Sequence, residues 1–144
     1  VTAPNVGQLT SEWTGAKHTF EVQVWPDRAS MLEHLDVVFP DGGWFEVNEA
    51  GERPAGAFVN AAGFMSNEAP EALGTIYLNE EWLDIEIIVH EVAHAAMFVY
   101  GCDLLGVYSR AMVHISSTNE TFAYLIGDLV AQLGTWLYDA GMYR

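Results

Sequence analysis

Asn79-Glu80-Glu81-Trp82-Leu83-Asp84-Ile85-Glu86-Ile87-Ile88-Val89-His90-Glu91-Val92-Ala93-His94 contains neither glycine nor proline. Asn79 suits an N-cap, and Glu80 and Glu81 fall in a first turn, where negative charge meets the positive end of the helix dipole. Leu78, just before the cap, can staple onto Leu83. The pattern predicts a helix from here to about Tyr100, with Gly101 placed to end it. Ile85, Ile87, Ile88, Val89, Val92, Ala93, Ala96, Met97 and Val99 go nearly all round that helix. Such a helix belongs in the middle of a domain.

Into this apolar helix the chain inserts His90, Glu91 and His94. Residues four apart lie about 40° apart around a helix and one turn along it, so the two imidazoles can meet on one metal ion. Glu91 stands about 100° further round, beside that ion, where a general base for a metal-activated water belongs. Neutral imidazole favours zinc over calcium or magnesium, which take oxygen ligands. The bland alternative is two structural histidines. In an apolar helix they and the carboxylate would need other partners, because an unsatisfied buried polar group is costly.

A catalytic zinc needs a third protein ligand and a position left for water. A third histidine six residues on is ruled out, because Met97 and Tyr100 occupy the positions of the extended motif. An upstream cysteine ligand is ruled out too, since Cys102 is the only cysteine and lies downstream. A carboxylate from a following helix remains, and Asn119-Glu120-Thr121-Phe122-Ala123-Tyr124 offers one. His114 is the rival. Ser117 and Glu120 also form a capping box, which would give Glu120 a purely local role.

With these residues the chain resembles the gluzincin metallopeptidases, whose second helix carries an Asn-Glu pair supplying the glutamate ligand. The match runs from Ile76 to about Val130. It is similar above all to the minimal, single-domain members, small phage-encoded metallopeptidases among them. The resemblance implies a zincin-like fold and zinc held by His90, His94 and Glu120. It implies Glu91 as the base in peptide hydrolysis, and a substrate lying along residues 74–78 as an edge strand. His114, Tyr108 or Arg110 would stabilise the oxyanion. The chain departs from the thermolysin-like pattern at Tyr124, where an Asp is expected; Asp128, one turn on, is the substitute candidate.

Elsewhere, Phe20, Val22 and Val24 alternate with Glu21 and Gln23, which predicts a half-buried strand at residues 19–25. Met31, Leu32, Leu35 and Val38 follow at helical spacing, predicting an amphipathic helix over 28–38. Residues 57–61 and 74–78 read as further strands, residues 1–16 as a loose or docked arm, and residues 40–54 as a loop or short hairpin. Residues 63–72 and 104–116 read as connections. A last helix opens at Ser117 or Thr118 and runs to about Ala140, with Gly141 behind it. The expectation is one α+β domain over residues 1–144, a small sheet packed on the metal-bearing helices.

Twenty Asp and Glu against five Lys and Arg give a formal net charge of −15. That excludes nucleic acid and anionic membranes as partners, since both need clustered cations. A peptide or protein substrate is the partner expected. No apolar run reaches membrane-spanning length, no signal peptide is visible, and one cysteine suits a reducing compartment, so a cytoplasmic site of action is expected. Two other functions fit the same motif. One is a binding or assembly module with a closed structural zinc, with His114 as fourth ligand and Trp44 and Phe45 serving a partner surface. The other is hydrolysis of a non-peptide amide.

Overall fold

The computed structural model describes residues 2–40, 53, 55–60, 72–104 and 120–142, the side chains at 60, 101–104, 120 and 121 excepted. The loop expected at 40–54 and the connections expected at 63–72 and 104–116 fall largely outside these residues. Within them the chain is α+β. Four strands, β1 (Asn5–Ser11), β2 (His18–Trp25), β3 (Ala57–Asn60) and β4 (Ala72–Asn79), form one mixed sheet in the order β1-β2-β4-β3. β2 pairs antiparallel with β1 and parallel with β4, and β3 runs antiparallel to β4. The helices are α1 (Arg28–Val38), α2 (Ile85–Leu104) and α3 (Glu120–Asp139).

The sheet separates two apolar layers. Phe20, Val22, Val24, Ile76 and Leu78 are fully buried on the face covered by α2 and α3. Each such side chain contributes about 1.5–3 kcal/mol. Trp25, Ala57 and Tyr77 turn to the other face, against Met31, Leu32 and Leu35 of α1. Asp27 caps α1, accepting the Ser30 N–H at 2.7 Å. Val38, expected on the buried side of that helix, is exposed. At Leu73 the register between β2 and β4 shifts, and the bulged side chain fills the core.

Of the loose or docked arm expected over residues 1–16, residues 5–11 are docked, as a strand paired with β2. Their inward positions carry Gly7, Leu9 and Ser11, too little apolar bulk to mark a strand in sequence. Gly7 is needed there, because a Cβ would collide with the Trp136 ring of α3. The open backbone of β1 is met at Thr10 by Gln132 of α3. Its Oε1 accepts the Thr10 N–H at 3.0 Å and its Nε2 donates to the Thr10 carbonyl at 2.7 Å.

α2 begins at Ile85 and not beside Asn79. Asn79 Oδ1 accepts the Trp82 N–H at 3.1 Å and caps only a single 3-10 turn, Glu80–Trp82, whose side chains are all exposed. Asp84 then caps the real helix, accepting the Ile87 N–H at 2.9 Å. At its other end α2 runs through Gly101 to Leu104.

Residues 74–78, expected as an edge strand, belong to an interior one. β4 lies between β2 and β3, so among the described residues β1 and β3 are the edges. α3 ends as expected. Gly141 adopts φ +71°, and the N–H groups of Gly141 and Met142 return to the carbonyls of Tyr138 and Leu137.

Asn79 also holds the approach to β3. Its side chain is buried, and Nδ2 donates to the Ala55 carbonyl at 2.6 Å. Asn79→Ala should therefore cost about 1–2 kcal/mol in urea unfolding, a partly buried carbonyl losing its donor as the turn loses its cap. A change below about 0.5 kcal/mol would show that water replaces both bonds.

Candidate metal centre

α2 presents different residues to different neighbours because each residue turns it by about 100°. Ile88, Val92, Ala95, Ala96 and Val99 face the core. Glu91 lies at the margin of that buried arc, towards β3. His90 and His94 lie beyond the margin, His90 with its side chain 63% exposed and His94 half-buried.

The two rings turn the same nitrogen to one point. His90 Nε2 and His94 Nε2 are 3.2 Å apart, with the ring planes at 74°. Two nitrogens bound tetrahedrally to zinc at about 2.0–2.1 Å stand about 3.3–3.4 Å apart, so the donor pair fits that ion. The same separation also suits a hydrogen bond between one neutral ring and the other. Burial, and then the neighbouring His90, hold the His94 pKa below its ordinary value, which favours the neutral imidazole a metal requires.

Glu91 is 4% exposed, and its Oε1 lies 4.0 Å from His90 Nε2. Burial pushes its pKa up to about 7, against the opposing hydrogen bond it accepts from the Phe58 N–H of β3. A cation beside it would favour the ionised form. Gly56 makes this seat possible. A Cβ there would stand 3.2 Å from Glu91 Cγ, 3.2 Å from Ile87 Cγ2 and 3.0 Å from the Tyr77 carbonyl oxygen. Neither Gly56 nor the Phe58 N–H was foreseen, since a backbone donor has no side-chain signature.

Among the described residues no third ligating side chain joins the histidine pair. Glu120 is the first residue of α3, and its side chain lies outside the description, as do His114, Tyr108 and Arg110. Phe122, two residues on, packs edge-to-face on Tyr100 with ring centroids 5.8 Å apart. The first turn of α3 thus lies beside a point about 9 Å past His94 along the α2 axis. Asp128, the substitute second partner, instead accepts from Gln132 Nε2 at 2.9 Å, which ties it to the β1 edge.

In chelator, folded Glu91 keeps its proton up to about pH 7, against 4.5 for the ordinary carboxyl. Between those values the folded state binds more protons than the unfolded one, so this group's contribution falls as pH rises. Glu91→Gln should remove that fall. The chelated variant should gain roughly 2–3 kcal/mol on wild type at pH 8 and little at pH 4.5. His94 titrates in both proteins, so the difference isolates Glu91. An equal difference at both pH values in urea unfolding would contradict the burial argument.

Gly56→Ala should crowd the carboxylate and cost about 1–2 kcal/mol, read as a lower urea midpoint; an unshifted midpoint would mean the strand gives way freely. No protein-family model, no curated protein and no solved structure matches this chain, so the chemistry of the site rests on its own residues and geometry.

Proposed function

We propose that this chain is a zinc-dependent peptidase of the zincin-like, gluzincin kind. The observation that carries the reading is the pair of imidazole Nε2 atoms 3.2 Å apart with a buried carboxylate 4.0 Å from one of them. His90 and His94 hold the metal through Nε2. Glu120 is the third ligand by the resemblance of Asn119-Glu120 to the gluzincin pair.

Bound zinc supplies an acidified water, with a pKa lowered towards ~7, and a Lewis acid for the scissile carbonyl. Glu91 takes the proton at a carboxylate oxygen and later delivers it to the leaving amine nitrogen. Burial raises the basicity of Glu91, and a zinc ion beside it would favour the ionised form, which is the form that takes the proton. The Phe58 N–H and the absence of a side chain at Gly56 hold that carboxylate in one place. His114 or Tyr108 would donate to the oxyanion. The peptide would run beside β3, using backbone groups of its outer edge other than the Phe58 N–H, which Glu91 occupies.

No helix among the described residues is long and apolar enough to cross a membrane. The strong negative charge leaves peptides and proteins as substrates and nucleic acid as an unsuitable partner.

Three proteins test the reading: wild type, Glu91→Gln and His94→Ala. Wild type should carry one zinc per chain and cleave a mixed peptide library until chelator is added. Glu91→Gln should keep its zinc and lose about 10²–10⁴-fold in turnover. His94→Ala should lose zinc and stability together. Zinc in wild type without any cleavage would indicate a closed structural site. Full turnover by Glu91→Gln would remove Glu91 from the chemistry.

A further inference from the structure

We propose that the face of α2 and of the turn before it, Trp82, Ile85 and Val89 flanked by Glu80 and Glu86, docks a cationic, apolar segment of the peptide substrate. Trp82 is 51% exposed, Ile85 55% and Val89 39%. Ile85 and Val89 are one helical turn apart and about 40° round from each other, so they form one stripe. Trp82 stands in the turn immediately before it. Apolar side chains of this size, consecutive on an exposed face, mark a contact surface more often than singly scattered ones do.

Charge selects the occupant. Residues 80–90 hold Glu80, Glu81, Asp84 and Glu86 and no Lys or Arg. Two of these carboxylates have structural tasks. Glu81 Oε2 accepts the Arg28 N–H at 2.9 Å, and Asp84 caps α2. Glu80 and Glu86 are exposed, Glu80 in the turn that carries Trp82 and Glu86 about 60° round the helix from Val89. The guanidinium of Arg28, 5.7 Å from the Trp82 ring centre, is the cation that stacks here from within the chain. It shows the chemistry that this indole accepts. The net charge of −15 adds a long-range attraction for basic peptides and repels acidic ones.

Val89 precedes His90 on the helix, and their side chains lie about 100° apart, roughly 10 Å at the helix surface. Three residues of an extended peptide span that distance. A basic or bulky apolar residue about three positions from the scissile bond would therefore reach the stripe. As a substrate subsite this rests on the peptidase reading, whereas as a docking surface it is measured by binding alone.

The test uses the zinc-loaded Glu91→Gln variant of the 144-residue chain and a short fluorescein-labelled peptide rich in Leu and Lys. Fluorescence polarisation should show the Lys peptide binding at least about tenfold more tightly than the same peptide with Glu for Lys, the gap shrinking in high salt. Ile85→Ser with Val89→Ser should weaken binding about tenfold while the circular dichroism spectrum stays unchanged. Glu80→Gln with Glu86→Gln, which leaves the apolar stripe intact, should reduce the preference for Lys over Glu. Equal binding of the two peptides, or undiminished binding by the serine variant, would overturn the proposal. Cleavage by wild type with no preference for basic peptides would overturn it too and leave the peptidase reading standing. Selective binding without any cleavage by wild type would support the docking surface and remove the peptidase.

Discussion

One buried carboxylate constrains much of this molecule. Glu91 sits 4% exposed on a helix whose neighbouring positions are aliphatic. An ionised group there is expensive unless something meets it. The Phe58 N–H meets it, from β3, which is an edge of the sheet among the described residues. The approach to β3 must then pass close to the helix, which Gly56 permits and the Asn79–Ala55 hydrogen bond secures. Arg53 adds an ion pair to Asp36 of α1, and Arg28 donates to the Arg53 carbonyl. The exposed ion pair contributes little energy but orients the segment.

The same helix divides its tasks by angle. Its aliphatic arc fastens it between the sheet and α3, where Leu125, Leu129, Leu133 and Leu137 are fully buried. That rigid seat holds the histidine pair at the margin of the core, where solvent can reach one imidazole and partly reach the other. A site on a packed helix keeps its geometry better than one on a loop. Glu91, one residue from His90, is turned just far enough to be desolvated while remaining 4.0 Å from the His90 Nε2. Basicity and placement of the carboxylate thus come from one choice of helical phase.

Much of this arrangement is legible from residue order. The alternation of Phe20, Val22 and Val24 marked β2, and Met31, Leu32 and Leu35 marked α1, because each pattern matches a backbone period. His90, Glu91 and His94 could be placed relative to one another for the same reason: a helix fixes angles between neighbours. What depended on partners was not legible. β1 carries only one large inward side chain, Leu9, and is a strand because β2 and Gln132 of α3 satisfy its backbone. The true start of α2 at Ile85 was hidden because Asn79 and Asp84 are both sound caps, and only packing decides that the first closes a single turn. Gly101 looked like a stop, yet the helix continues for another three residues. The edge position of β3 depends on sheet order, which no local pattern encodes.

The account is tested most directly by the zinc K-edge X-ray absorption spectrum of the purified protein. It predicts two imidazole nitrogens at about 2.0–2.1 Å together with oxygen donors, and loss of the zinc, or of half the imidazole scattering, in His90→Ala. A zinc shell made of oxygen alone, unchanged by that substitution, would contradict it.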